Sequence, residues 1–275
     1  MKWESTQLSS GLALAPDLAA QCIFDEKRTA AFLRGTSSAI EAARARFPGE
    51  TIEVVYAGTG PFAPFVVPLL PRGGVRFTLI DVDARSLRIL RALLERLGLR
   101  DHAEIVHADA TEYRHPTSIH VVVSETMQRS LAVEPFVAIA RNLRAQLAPS
   151  GIFVPERVTV DVALVDPDRE RARWRGVDVA TAYVRLARIV DTTVKLDPVI
   201  VSIPPTRIPQ WLALLTEIDV FADERLRSYD SGLTVPEILW PLSPARANDV
   251  IEFRYEEGAH PRIAWSVIPS DSRSG

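Results

Sequence analysis

At 275 residues, 47% hydrophobic and 24% charged, the chain has the length and composition of a folded globular protein with a substantial core. A formal net charge of -3 gives no electrostatic footprint for nucleic acid or an anionic membrane, and no apolar run approaches the roughly 20 residues that span a bilayer. Cys22, the single cysteine, excludes an intrachain disulfide and a cysteine-built zinc site, and five scattered histidines lack metal-ligand spacing.

The start of the chain lacks the basic stretch of a signal peptide, so a cytoplasmic location is expected. Residues 12–47 read as helical, with Asp25 as a cap and the pattern ending at Phe47-Pro48-Gly49. Residues 51–56 form a short apolar strand. Residues 61–70 read as a helix made irregular by Pro64 and Pro68. A second strand over 75–80 precedes a helix over 84–97, with Leu87, Leu90, Leu94 and Leu97 on one face. Strands over 103–107 and 120–124, a helix over 135–147 closed by Pro149-Ser150-Gly151, and a strand starting at Ile152 complete the series. Such alternation implies an α/β fold with a parallel, doubly wound sheet. After Pro155 the β-branched runs 158–165, 199–203, 212–221 and 250–255 read as mainly antiparallel, with an exposed, Arg-rich helix within 168–182 and a polar, fraying tail over 270–275. Three regions follow: an N-terminal helical cap over 1–48, a Rossmann-like domain over 49–155 and a β-rich domain over 156–275.

The chemistry begins at the turn Tyr56-Ala57-Gly58-Thr59-Gly60-Pro61. Glycines there let backbone approach a ligand with no Cβ in the way. Asp81 lies 23 residues after Gly58, at the end of the second strand, where a carboxylate can accept from both hydroxyls of a ribose. His107-Ala108-Asp109-Ala110 ends the third strand, and Asp109 can accept from an adenine amino group. The bland alternative is that both aspartates only cap the helices that follow. Neither a third glycine opening the first helix nor a Gly-Lys-Ser/Thr phosphate loop is present, which favours an adenosine ligand without a pyrophosphate.

Over residues 25–155 the sequence resembles the class I S-adenosylmethionine-dependent methyltransferases, and more closely the protein arginine methyltransferases. Asp25-Glu26-Lys27-Arg28-Thr29 resembles their N-terminal helix motif. Ser124-Glu125-Thr126-Met127 resembles the start of their double-glutamate loop, and Glu134 follows Glu125 by nine residues, like the second glutamate there. Stretches 147–155, 197–201 and 215–220 are similar to their last helix-to-strand passage and to strands of their β-barrel. The resemblance implies S-adenosylmethionine as cofactor. Arg28, Tyr56, Gly58, Gly60, Phe62, Asp81, Asp109, Ala110 and Glu125 would bind it, Glu125 and Glu134 would act in catalysis, and no metal would be needed. It also implies a homodimer contact in the β-rich half, although no clear dimerisation arm is present.

Three departures stand out. Tyr56 and Phe62 occupy positions that are usually acidic and glycine. Thr126-Met127-Gln128 stands for the usual Trp-Met-Gly, and no Thr-His-Trp loop is found, since His260 and Trp265 are not adjacent. Tyr56 and Phe62 concern the methionyl end of the cofactor; the other two departures favour a small-molecule substrate over a protein arginine. The leading expectation is methyl transfer to a nitrogen, then an oxygen, of a small molecule, as in bacterial secondary metabolism. The alternatives are cyclisation of S-adenosylmethionine to azetidine-2-carboxylate and methylthioadenosine, and a non-catalytic binding module.

Overall fold

The computed structural model describes residues 3–269; Met1, Lys2 and the tail 270–275 lie outside the described residues. A hairpin of β1 (Thr6–Leu8) and β2 (Gly11–Ala13) comes first, followed by α1 (Pro16–Gln21) and α2 (Glu26–Arg46). Then come β3 (Ile52–Ala57), β4 (Val75–Asp81), α3 (Ala84–Leu97), β5 (Ala103–His107), β6 (Ile119–Ser124), α4 (Phe136–Arg144) and β7 (Leu147–Val154). The remainder is β8 (Arg157–Val165), α5 (Pro167–Trp174), β9 (Val184–Asp191), β10 (Val199–Ser202), β11 (Trp211–Phe221), β12 (Glu224–Leu226), β13 (Glu237–Ile238), β14 (Val250–Glu256) and β15 (Arg262–Ile268). No helix among the described residues is long and apolar enough to cross a membrane.

The first half builds one parallel sheet in the order β5-β4-β3-β6-β7. Every residue of β3 and β6 is buried, as expected of central strands covered on both faces. The chain runs outward from β3 through β4 to β5, then crosses back to β6 on the other side. The order therefore reverses between β3 and β6, and their carboxyl ends open the crevice where such sheets bind ligands. Asp83 caps α3, and Gly98 ends it in the left-handed conformation. Leu87, Leu90 and Leu94 are buried, while Leu97 in the last turn is 51% exposed.

The second half is antiparallel. β12-β11-β8-β9 form one sheet, with β13 also on β11, and β10-β14-β15 form another. One continuous core runs from Phe32 and Ile40 on α2 through the parallel sheet to Val160, Leu212 and Phe253. A smaller cluster, Ala163, Trp211 and Leu215 among it, lies under α5 beside Trp174 and Trp240.

Several expectations need correction. Residues 12–47 are not one helix. The chain forms β2, α1 and a 3₁₀ turn, Cys22–Phe24, before Asp25 caps α2 by accepting the Arg28 N–H. Residues 61–70 form turns and one 3₁₀ turn, Val67–Leu69, because Pro61, Pro64 and Pro68 remove donors and Ala63 takes a φ of 41°. The crossover from β3 to β4 therefore carries no α-helix. α4 stops at Arg144, and Pro149-Ser150-Gly151 lies inside β7, where Ser150 has a φ of 69°. The helix within 168–182 is only α5, and its Glu170 is buried against the Tyr229 hydroxyl. β9 and β15 went unread because their apolar residues are interleaved with Arg and Ser on half-exposed edges.

Candidate active site

β3 ends in a turn set by two glycines. Gly58 (φ 74°) donates its N–H to Ile80 O at 2.9 Å, and Gly60 (φ 56°) donates to Asp81 Oδ2 at 2.8 Å. Asp81 Oδ1 accepts the Asp83 N–H at 2.8 Å, so this one carboxylate ties the glycine turn to the start of α3. A Cβ at Gly58 would lie 2.1 Å from the Thr126 methyl, so this glycine also makes room for the segment after β6. Burial pushes Asp81 above the usual carboxylate range, and the two N–H bonds oppose the shift. Neither Asp81 nor Asp109 caps a helix. Asp83 performs that role for α3, and Asp109 accepts the Thr111 N–H (2.8 Å) and hydroxyl (2.7 Å) in a turn followed by no helix.

α2 supplies the one guanidinium. Its first turn is anchored to the β-rich half because Asp25 Oδ2 accepts from the Ser231 hydroxyl (2.6 Å) and the Gly232 N–H (3.0 Å). That anchor aims Arg28 inward, where its side chain is 7% exposed and donates to Glu125 Oε1 at 3.3 Å and to the Cys22 carbonyl. Its Nε is buried with no hydrogen-bond partner among the described residues. Burial is the largest single influence and disfavours the charge, but Glu125, Cys22 and Asp25 together outweigh it and hold the guanidinium ionised. Tyr56 lies fully buried at the end of β3, its ring 5.7 Å from Phe65, and burial raises its hydroxyl well above the usual range.

The two glutamates of the cleft are both strongly perturbed. Burial pushes Glu125 up to about 7 against the opposing pull of Arg28. Burial, reinforced by the charge of Glu125, pushes Glu134 up to about 8 despite a hydrogen bond from Gln128. Glu134 is not a helix cap: Pro135 occupies that position of α4, and no side chain caps it. The loop between the glutamates is held from outside. Ser130 N–H donates to Thr216 Oγ1 (2.9 Å), its hydroxyl donates to Glu237 (2.6 Å), and the Tyr255 hydroxyl donates to Leu131 O (2.9 Å). Ser130, Leu131 and Val133 have φ of 57°, 55° and 71°; such residues each store on the order of 1–3 kcal/mol, so the loop keeps its shape only through these outside contacts.

All ten residues singled out from the sequence line two adjoining cavities that share Ala19, Gly58 and Glu125. One cavity has Asp81, Asp109, Ala110 and Glu134 on its walls; the other has Arg28, Tyr56, Gly60 and Phe62. Sequence reasoning missed Leu8, Leu12 and Leu14, which wall the first cavity from the N-terminal hairpin, and Thr126 beside Gly58. The Ser-Ser-Gly stretch over 9–11, flanked by apolar residues, was the available hairpin signal. His107 is exposed, its Nε2 2.9 Å from Val82 O, and neither His260 nor Trp265 lines either cavity.

No family model matches the chain, and no curated protein matches it in sequence. Solved structures do match in shape. The Trypanosoma brucei PRMT1 enzyme–prozyme heterotetrameric complex with AdoHcy superposes with a TM-score of 0.60 at 13% identity, covering 92% of this chain and 93% of that one. Arabidopsis thaliana protein arginine methyltransferase 10, in an open conformation, gives 0.58 at 14% identity, covering 86% of each chain. The chain has the fold of a protein arginine methyltransferase. The likeness runs through both halves, so the β-rich region corresponds to the second half of those enzymes, and the sequence resemblance is matched in three dimensions.

Proposed function

We propose that the protein is an S-adenosylmethionine-dependent methyltransferase acting on a nitrogen, or as second choice an oxygen, of a small molecule. One observation carries this reading. Buried Arg28, with an unpartnered Nε, faces one end of a cleft whose other end presents Asp81 and Asp109, with Glu125 and Glu134 between. The donor set fits the cofactor. Arg28 suits its carboxylate as a planar fork, Asp81 its ribose hydroxyls and Asp109 its adenine, while Tyr56, Gly58, Gly60, Phe62 and Ala110 form the walls. When bound, S-adenosylmethionine supplies a methyl group already activated by its sulfonium. The chain's own work is then to place a nucleophile, exclude water and take a proton. Glu125, poised near neutrality, is suited to accept that proton, and Glu134 to hold the acceptor's amine.

In this reading residues 1–48 cap the site, 49–155 hold the cofactor and 156–275 brace the glutamate loop. A cytoplasmic homodimer with a bacterial secondary-metabolic substrate is the corresponding setting, with no nucleic acid or membrane partner. The apolar walls Leu8, Leu12 and Leu14, contributed by the chain's own N-terminus, support a small acceptor over a protein arginine.

A second reading is favoured by Tyr56 and Phe62, which line the cavity that holds Arg28, where a folded methionyl chain would need support. There S-adenosylmethionine is the sole substrate. Its ammonium passes a proton to Glu125, the freed amine bonds to the γ-carbon, and the carbon–sulfur bond breaks with its electron pair on sulfur. The products are methylthioadenosine and azetidine-2-carboxylate. Mass spectrometry of the protein with S-adenosylmethionine, with and without candidate amines, separates the readings. S-adenosylhomocysteine formed only with an acceptor is the expected result. Methylthioadenosine formed without one replaces the first reading by the second. Neither product with any acceptor leaves a binding module.

A further inference from the structure

Gly11 opens β2 with a φ of 148°, and a side chain there would run into backbone: Val133 O at 2.8 Å, Pro135 N at 2.9 Å and Glu134 C at 3.0 Å. The contact is continued by a hydrogen bond, Leu12 N–H donating to Val133 O at 2.8 Å. The other strand of the hairpin is fastened too. Gln7 Nε2 donates to Ala259 O at 2.7 Å and to Gly11 O at 3.2 Å. Ala259 lies in the turn between β14 and β15, whose Pro261 O accepts the Val133 N–H at 2.8 Å. The residue before Glu134 is thus bonded on both sides, its carbonyl to the hairpin and its N–H to the β14–β15 turn. Its left-handed backbone, with a φ of 71°, needs such outside restraint to persist.

We infer that the N-terminal hairpin is the wall that positions Glu134, with Gly11 as the positioning residue. Only glycine lets β2 sit flush on residues 133–135, and that close seat fixes the glutamate's backbone and keeps water from its carboxyl. The same hairpin places Leu8 and Leu12 on the cavity that holds Asp81 and Asp109, and Arg85 at the start of α3 donates to Glu4 O at 2.8 Å. One short segment therefore spans from the nucleoside side of the cleft to the second glutamate, so filling the cavity and setting Glu134 act on a common element. The glutamate's part in turnover rests on the function proposed above; the wall itself does not.

The test is a carbon-13 NMR titration of the Glu134 carboxyl, assigned with Glu134→Gln, in the full chain. Gly11→Ala is compared with Gly49→Ala, which also places alanine at a positive φ (82°) but meets nothing within 4 Å. The expected result is a Glu134 midpoint lowered by about one pH unit or more in Gly11→Ala, as water reaches the carboxyl, with Gly49→Ala at the wild-type value. Gln7→Ala, which cuts the hairpin's tether without a clash, is expected to lower it by a smaller step. An unchanged midpoint in Gly11→Ala overturns the proposal. If that variant does not fold, an unchanged midpoint in Gln7→Ala does so. Where turnover is measured, Gly11→Ala is expected to lose kcat about tenfold with a smaller change in the KM for S-adenosylmethionine.

Discussion

The two ends of the parallel sheet treat their acids differently. At the amino ends of the strands, buried Glu53 pairs with Arg76 and lies 3.7 Å from His115 Nε2. His120 accepts the Glu53 backbone N–H at 2.9 Å through Nδ1, and its Nε2 lies 3.4 Å from Glu50. At the carboxyl ends, Asp81, Asp109, Glu125 and Glu134 gather around two joined cavities in which Arg28 is the one lysine or arginine on the walls. Removing a charge from water is costly unless it is paired, so the matched end serves stability. The unmatched end gathers perturbed acids in a cleft, the arrangement on which the proposed ligand site rests.

The sharpest way to break this contrast is to neutralise one acid at each end. Glu125→Gln is expected to lower turnover by about a hundredfold or more while cofactor affinity stays within a few-fold, measured by single-turnover kinetics and calorimetry. Glu53→Gln is expected to lower thermal stability and leave turnover per folded molecule unchanged. Equal losses of turnover in both variants would erase the distinction.

Asp81→Ala should come next in size. It removes the acceptor proposed for the ribose and also the tie to the Gly60 and Asp83 N–H groups, so S-adenosylhomocysteine affinity is expected to fall about ten- to a hundredfold. Gly58→Ala tests the packing of the same turn. With a φ of 74° and a Cβ 2.1 Å from the Thr126 methyl, it is expected to destabilise the protein by about 2–3 kcal/mol in urea unfolding. Thr126→Ser, which deletes the clashing methyl, should restore part of the loss. No rescue would mean that the positive φ alone accounts for it.

The pH dependence of stability gives a further test. Glu125 and Glu134 bind protons more tightly folded, at about 7 and about 8, than the ordinary 4.5 of an unfolded glutamate. Their contribution is fully present below pH 4.5 and is lost as pH rises through 7 and 8. Glu134→Gln removes one of the two groups, so its melting temperature is expected to fall less than wild type's between pH 5 and pH 8.5. Parallel melting curves would show that Glu134 titrates as an ordinary surface acid.

Much of this contrast was legible in the sequence. The α/β alternation was readable because β3, β4 and β6 are short β-branched runs and α3 has a clean helical stripe. Most of the candidate residues were readable because they lie at a strand end or in the first turn of a helix, places where polar side chains interrupt apolar patterns. What escaped depended on tertiary contact. The segment 61–70 keeps a helical spacing of apolar residues, but its prolines remove helical donors and leave turns. Gly11 carries no local signal that its Cα rests on the backbone of residues 133–135. Glu134 beside Pro135 is compatible with a cap, and only the fold turns it into the cavity.

The central claim, that the acid-rich carboxyl end of the sheet accepts an adenosine-bearing amino acid with Arg28 at its far end, is tested most directly by calorimetry with S-adenosylhomocysteine. The expected result is saturable one-to-one binding in the micromolar range that weakens at least tenfold in Arg28→Ala. No heat of association at millimolar ligand, or equal affinity in the wild type and Arg28→Ala, would contradict it.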